Sequence, residues 1–322
     1  MRVATLALMA AALALPVTPL AAQGSPSWPQ RPVKIILPIG PGSGADIGAR
    51  LIGDKLNAKW AQPVVIENRS GGDGFVAINA FVGARDNHVL LFGPAASFTA
   101  HPYLHDKLPY DPRDLAPVAR VSATLITLTA PPRLEVKSLG DLLAMARAQP
   151  GKLNWASVTG ATDLVIAAFL KTQGLDMAKL PYRDPVQALN YVAEGRLHLY
   201  WSSHAIVRAS IEAGRVKPLA ITSSQPSSVA PDLPTVTQAG FPGLTFDGLV
   251  GFYGARDMPA DLRERISADI QGTLADPAIV SRLHATGQEV VPGSAAAFAA
   301  DIDKQRIIIA GIARILGIQA AQ

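Results

Sequence analysis

Cysteine is absent from all 322 residues. The chain therefore has no disulfide frame, no thiolate metal centre, no cysteine nucleophile and no lipid-bearing cysteine behind an export signal. Charge is sparse too, with 17% Asp, Glu, Lys and Arg and a formal net charge of +4, and aromatics make up only 6%. Without a basic stripe or interleaved aromatics, the composition offers neither a nucleic-acid surface nor a polybasic lipid patch. Apolar runs are short. The run from Val3 to Val17 falls below the ~20 residues that a membrane span requires. Set behind Met1-Arg2 and before Leu20-Ala21-Ala22, it predicts an export signal cleaved near Ala22. A cysteine-free exported chain fits the space outside a bacterial inner membrane, and 322 residues suffice for two ordinary domains.

Several catalytic patterns are missing as well. No Lys-Ser or Lys-Thr completes a phosphate loop after the glycines near position 42. Gly42 and Gly44 supply part of a dinucleotide fingerprint, but Ile47 stands where its third glycine belongs. No nicotinamide or other cofactor is expected. The hydrolase elbow G-x-S-x-G fails at Ser43, Ser97, Ser157 and Ser202. Among the six histidines, His101 and His105 are spaced i, i+4, but Pro102 lies between them and no H-E-x-x-H occurs, so both read as surface loop residues and no metal is expected. His204 reads either as facing a cleft or as a surface residue at a helix start.

What is present is a repeated small-residue theme. Val33 to Leu37 reads as a buried parallel strand, and Gly40, Pro41, Gly42 and Gly44 form a loop after it. Ile47, Leu51, Ile52 and Leu56 then share one helical face, with Asp46 in the first turn. Strand, glycine loop and helix N-terminus together present backbone N–H groups that hold an anion without a cationic side chain. The theme recurs at a strand Pro63 to Ile66 with its turn to Gly74, a helix Phe75 to Val82, and a strand Val89 to Phe92 followed by Gly93 to Thr99. Leu108 to Pro117 reads as irregular, and a strand near Leu125 to Thr129 leads onward. Beyond it come a capped helix from Ser138, a strand Leu153 to Ala156, and the loop Ser157 to Asp163 with its helix. Asp184-Pro185 opens another helix, His198 to Trp201 is a strand ending at Ser202-Ser203, and Pro218 to Ile221 is a return strand. The remainder carries two helical patterns, Asp261 to Leu274 and Ser294 to Leu316. Strands alternating with helices predict an α/β chain with doubly wound sheets that bind ligand at strand carboxyl ends. Asp46, Asp163 and Asp184 read as caps or first-turn charges rather than acid–base catalysts.

The segments WPQRPVKIILPIGPGSGADIGARLIGDKL, QPVVIENRSGGDG, KLPYDPRDLAPVA, PGKLNWAS, ALNYVAEGRLHLYW, AGRVKPLAITS and PDLPTVTQAGFPG resemble the Bug/TctC family of extracytoplasmic solute receptors, from about Trp28 to Gly317. The resemblance implies a type II periplasmic binding protein fold. Two α/β lobes, 28–127 with 223–322 and 128–222, would be joined by two crossovers. It implies a monomer without catalysis that holds a small carboxylate through amides, hydroxyls and water and hands it to a membrane transporter of the tripartite tricarboxylate type. On matching positions the ligand residues would be Ile39, Gly40, Gly42, Ser43, Gly44, Ala45 and Asp46, then Asn68, Gly72 and Gly74, then Ala96 and Ser97. The second lobe would add Ser157, Thr159, Ala161, Thr162 and Asp163, and Ser202 with Ser203.

Departures exist. The usual P-G-G-G-T-D reads Pro41-Gly42-Ser43-Gly44-Ala45-Asp46, which loses a hydroxyl. The usual G-T-S-S-H reads Gly160-Ala161-Thr162-Asp163-Leu164, which brings in an acid, and the usual F-D-N reads Trp201-Ser202-Ser203, which removes one. Asp163 would either disfavour a second carboxylate or merely cap its helix. Trp201 is expected to adjoin the cleft and to report ligand by fluorescence. An exported hydrolase or oxidoreductase, or a receptor serving a signalling partner, remain the alternatives.

Overall fold

The computed structural model describes residues 28–157, 160–182 and 184–321. The expected export signal, its cleavage near Ala22, and the candidate ligand residue Thr159 lie outside them.

Apolar runs open each unit, and small residues end each strand. The chain begins β1 (Val33–Leu37), α1 (Gly44–Trp60), β2 (Val64–Asn68), α2 (Phe75–Ala84), β3 (Val89–Pro94), then two one-turn helices α3 (Ala96–Thr99) and α4 (His101–Leu104), and β4 (Leu115–Thr124). It continues with β5 (Ile126–Ala130), α5 (Leu139–Ala148), β6 (Asn154–Ser157), α6 (Gly160–Thr172), β7 (Ala178–Lys179), α7 (Pro185–Ala193), β8 (Leu199–Ser203), α8 (His204–Glu212) and β9 (Lys217–Ile221). It ends with β10 (Gly248–Ala255), α9 (Ala260–Thr273), α10 (Pro277–Ala285), β11 (Gln288–Gly293) and α11 (Ala295–Leu316).

These strands make two sheets, β11-β4-β10-β3-β1-β2 and β7-β6-β8-β5-β9. Pairing is parallel among β1, β2 and β3 and among β6, β7 and β8, whereas β4, β5, β9, β10 and β11 pair antiparallel. The chain passes between sheets twice, at Leu125 between β4 and β5 and again between β9 and β10.

Burial on both faces explains the continuous apolar strands. Ile35 and Leu37 of β1 face Ile52 and Leu56 of α1, while Ile36 faces Ile78 and Phe81 of α2. In the second sheet, Leu199 and Trp201 of β8 join the core under α5 and α6, and Tyr200 joins the opposite one with Leu189 and Val207. Trp201 is thus fully buried in the second core rather than beside a cleft. The expectation that it adjoins ligand is corrected: its place in the strand alternation sends it to the covered face. The last helix ties the two cores together. Phe298 and Ile302 of α11 sit in the first, and Ile309 sits in the second.

Besides the short α3, α4 and β7, four longer elements depart from the sequence reading, which leaves β4, β10, α10 and β11 unassigned. Pro117 made the first of these look irregular. It lies instead opposite Tyr253, where the β4–β10 register shifts, so its missing N–H falls at a bulge. β10 carries three glycines that read as loop. Gly251 is required there, because a Cβ would stand 2.4 Å from the Ala119 carbonyl oxygen and 2.5 Å from Phe298.

Candidate functional site

The loop after β1 is built by the residues that follow it. Ser43 caps α1, its hydroxyl accepting from the Asp46 N–H, and Gly42 turns the chain at φ +82°. Asp46 is almost wholly buried and accepts from the Gly42 N–H at 2.8 Å, from Arg50, and from Asn68 Nδ2 at 2.8 Å. Burial alone pushes the Asp46 carboxyl upward, but the bonds from Arg50, Gly42 and Asn68 outweigh it and hold the carboxyl below its usual range. Asn68 also donates to the Ile39 carbonyl and accepts from Arg50, so it locks β2 to this loop. The Gly42 amide, Asp46 and Asn68 are therefore engaged within the loop itself. Gly44 and Ala45 occupy the first turn of α1, where amides have no intrahelical acceptor. A Cβ on Gly44 would lie 2.9 Å from the Thr286 carbonyl oxygen, while Gly40 borders open space.

Pro38 draws the three first-sheet loops together. A Cβ on Gly74 would approach its ring at 3.2 Å, and one on Gly93 at 2.9 Å. Gly72, Asp73 and Gly74 all adopt positive φ. After β3, Ser97 is buried and its carbonyl accepts from Tyr110 Oη at 2.6 Å, while Ala96 packs against the second core.

The second sheet contributes a hydroxyl and acid group. Ser157 Oγ donates to Asp163, Thr162 Oγ1 donates to Ser157 Oγ at 2.9 Å, and Lys179 Nζ donates to Asp163 at 2.6 Å. The charge that Asp163 introduces is thus partnered by Lys179, a residue the sequence did not single out. Gly160 opens α6 just ahead of Ala161 and meets the first sheet's unit, where a Cβ on it would fall 2.6 Å from Leu104 of α4. Ser202 is fully buried near Tyr200, and Ser203 precedes α8. His204 is neither at a cleft nor at the surface. It is buried under the first crossover, with Nδ1 3.0 Å from Thr127 Oγ1, and burial lowers its pKa. A second inter-unit contact sets Gly287 against Ala205 at 3.0 Å from a would-be Cβ. The loops after β1, β2 and β3 are therefore neighbours about Pro38, and the start of α6 meets α4, which follows the last of them.

His101 differs from expectation, whereas His105 lies in a partly exposed loop as expected. His101 is buried, because Phe75 packs edge-on against both rings and Tyr110 backs the first. Both rings converge on Asp73, and ligand-capable atoms of all three lie within 4.8 Å of one another. Burial lowers the His101 pKa to about 4, with Asp73 opposing the shift. The i, i+4 spacing was visible in the sequence, but its partner lies 28 positions upstream of His101 and needed the fold to arrive.

Away from these loops, a cavity of about 290 Å³ lies at the crossovers, bordered by Thr124, Leu125, Ser223, Phe246, Glu289 and Ile308 among others.

The model of the TctC family, the tripartite tricarboxylate transporter family receptors, matches residues 48–313. A UPF0065 protein from the tcbD-tcbE intergenic region of a Pseudomonas species is 29% identical over 288 residues, 88% of this chain and 85% of its own length. Among solved structures, R. palustris Rpa4515 with adipate aligns at a TM-score of 0.77 with 26% identity, over 91% of this chain and 99% of that one. MatC (Rpa3494) from Rhodopseudomonas palustris, with bound malate, aligns at 0.73 with 25% identity, over 88% and 99%.

Proposed function

This chain belongs to the tripartite tricarboxylate transporter receptor family, and from that premise we propose that it captures a small carboxylate between its two sheets and delivers it unchanged to membrane subunits. The observation that carries the reading is the gathering of the β1, β2 and β3 loops about Pro38, beside the start of α6. Relatives solved with adipate and malate support a dicarboxylate as the ligand class. In this reading the ligand meets the first-turn amides of α1 and α6 and the Ser157 hydroxyl, which the buried Thr162 hydroxyl supports from behind. Helix N-terminal amides favour an anion on grounds of charge and geometry alone. Lys179 offsets Asp163, so the second-sheet wall does not repel a carboxylate. Capture closes the sheets about the two crossovers as a hinge. Family membership supports a periplasmic location after export.

Calorimetry with adipate, malate and their diamides tests the site. Charge-assisted bonds are about twice as strong as neutral ones, so each acid should bind well above its diamide. Equal affinity of acid and diamide would refute an anion site. Delivery is tested separately, by uptake of labelled dicarboxylate in cells that lack the receptor and are supplied with this protein.

A further inference from the structure

We propose that Asp73, His101 and His105 form a binding site for a first-row divalent transition ion, beside the loops after β2 and β3. A hydrogen-bond chain fixes the tautomer of His101. Tyr110 Oη donates to the Ser97 carbonyl at 2.6 Å, so its oxygen is left to accept. His101 Nδ1, 2.9 Å away, must then be the donor, and the lone pair of this neutral ring sits on Nε2. That lone pair faces Asp73 Oδ2 at 3.4 Å, one acceptor against another. Only a positive charge between them makes the arrangement favourable. The His101 ring is buried, and a metal ion takes an imidazole in its neutral form.

The remaining geometry agrees. His105 Nε2 lies 3.0 Å from the same carboxylate oxygen, and the two imidazoles stand at 87° with centroids 5.2 Å apart. Metal–ligand bonds of ~2.0–2.1 Å in a tetrahedral set place ligand atoms ~3.3 Å apart, which these two distances approach. Asp73 holds its carboxylate there from a left-handed backbone, φ 54°, between two glycines. The Ser97 carbonyl and Tyr110 orient His101 from behind, as outer-shell partners of metal-bound histidines do. Phe75 holds both rings edge-on. Two nitrogens and one carboxylate suit zinc, nickel or cobalt and are poor for magnesium or calcium. The Asp73 side chain is 60% exposed, so an ion can enter from solvent and keep an open position there. Bound metal would pin the β2–α2 loop to α4.

The test uses tag-free, chelator-treated protein and zinc chloride in calorimetry, with cobalt chloride for ligand-field absorption. One ion per chain is expected, with no competition from magnesium. Asp73→Asn, which keeps a side chain tolerant of positive φ, and His105→Gln should each weaken zinc at least tenfold. Tyr110→Phe should weaken it by about 10–100-fold without removing a ligand, since only the orientation of His101 is lost. Thermal unfolding of the apo variants separates lost ligation from lost folding. Absence of zinc binding, binding unchanged in Asp73→Asn and His105→Gln, or a doubly protonated His101 by NMR in the apo protein at neutral pH would each overturn the assignment.

Discussion

At the scale of single residues, Asp46 carries the most local weight. One carboxylate joins the glycine loop, α1 and β2 through Gly42, Arg50 and Asn68. Asp46→Asn leaves these donors without a charged acceptor, and hydrogen bonds to charged groups contribute about 1.5–3 kcal/mol. The expected loss is therefore about 2 kcal/mol, read as a lower urea midpoint at pH 7. The Asp46 pKa is depressed in the folded state, so its stabilisation is full above the unfolded carboxyl value and vanishes as pH falls through the lower folded one. The gap between wild type and Asp46→Asn should accordingly close below about pH 4. As a first-turn charge, Asp46 was legible from its place after Ser43. Its partner Asn68 was not, because local pattern says nothing about a residue brought in by a parallel strand.

Elements were legible where their period was clean. β1, α1, β3, α5, α7 and α11 follow from apolar spacing and from caps such as Ser138 with Asp141 and Asp184 before Pro185. β10 was not, since its glycines are there for the close approach of β4 and of Phe298 rather than for any turn. Gly251→Ala tests that explanation. A Cβ at 2.4 Å from a backbone carbonyl oxygen and 2.5 Å from a buried ring has no flexible neighbour to displace. Overpacking of this kind costs about 1–3 kcal/mol, and the upper end is expected here. Denaturant unfolding should show a lower midpoint with an unchanged slope.

At the scale of the whole molecule, the two sheets' units meet at several places. Gly160 against Leu104 joins the carboxyl-end loops, Gly287 against Ala205 lies near the first crossover, and α11 runs through both cores. If ligand capture closes the sheets, Gly160→Val should resist closure at the first contact, because a side chain there meets Leu104. The dicarboxylate found by calorimetry should then bind about tenfold more weakly, a loss of about 1.4 kcal/mol, with little change in thermal midpoint. A large fall in midpoint with unchanged affinity would instead mark the contact as structural. The cavity of about 290 Å³ at the crossovers lies where such a hinge would bend.

The chain alone determined that strands would alternate with helices, that small-residue loops would follow strands, and that no cysteine chemistry would occur, because these depend on neighbours in sequence. The motifs it carries also resembled the family to which it belongs. Tertiary structure decided what depends on distant residues. It sent Trp201 into a core, buried His101 and His204, paired Asp163 with Lys179, and carried Asp73 to two histidines. Local periodicity sets which face a side chain takes, but only packing sets what waits on that face.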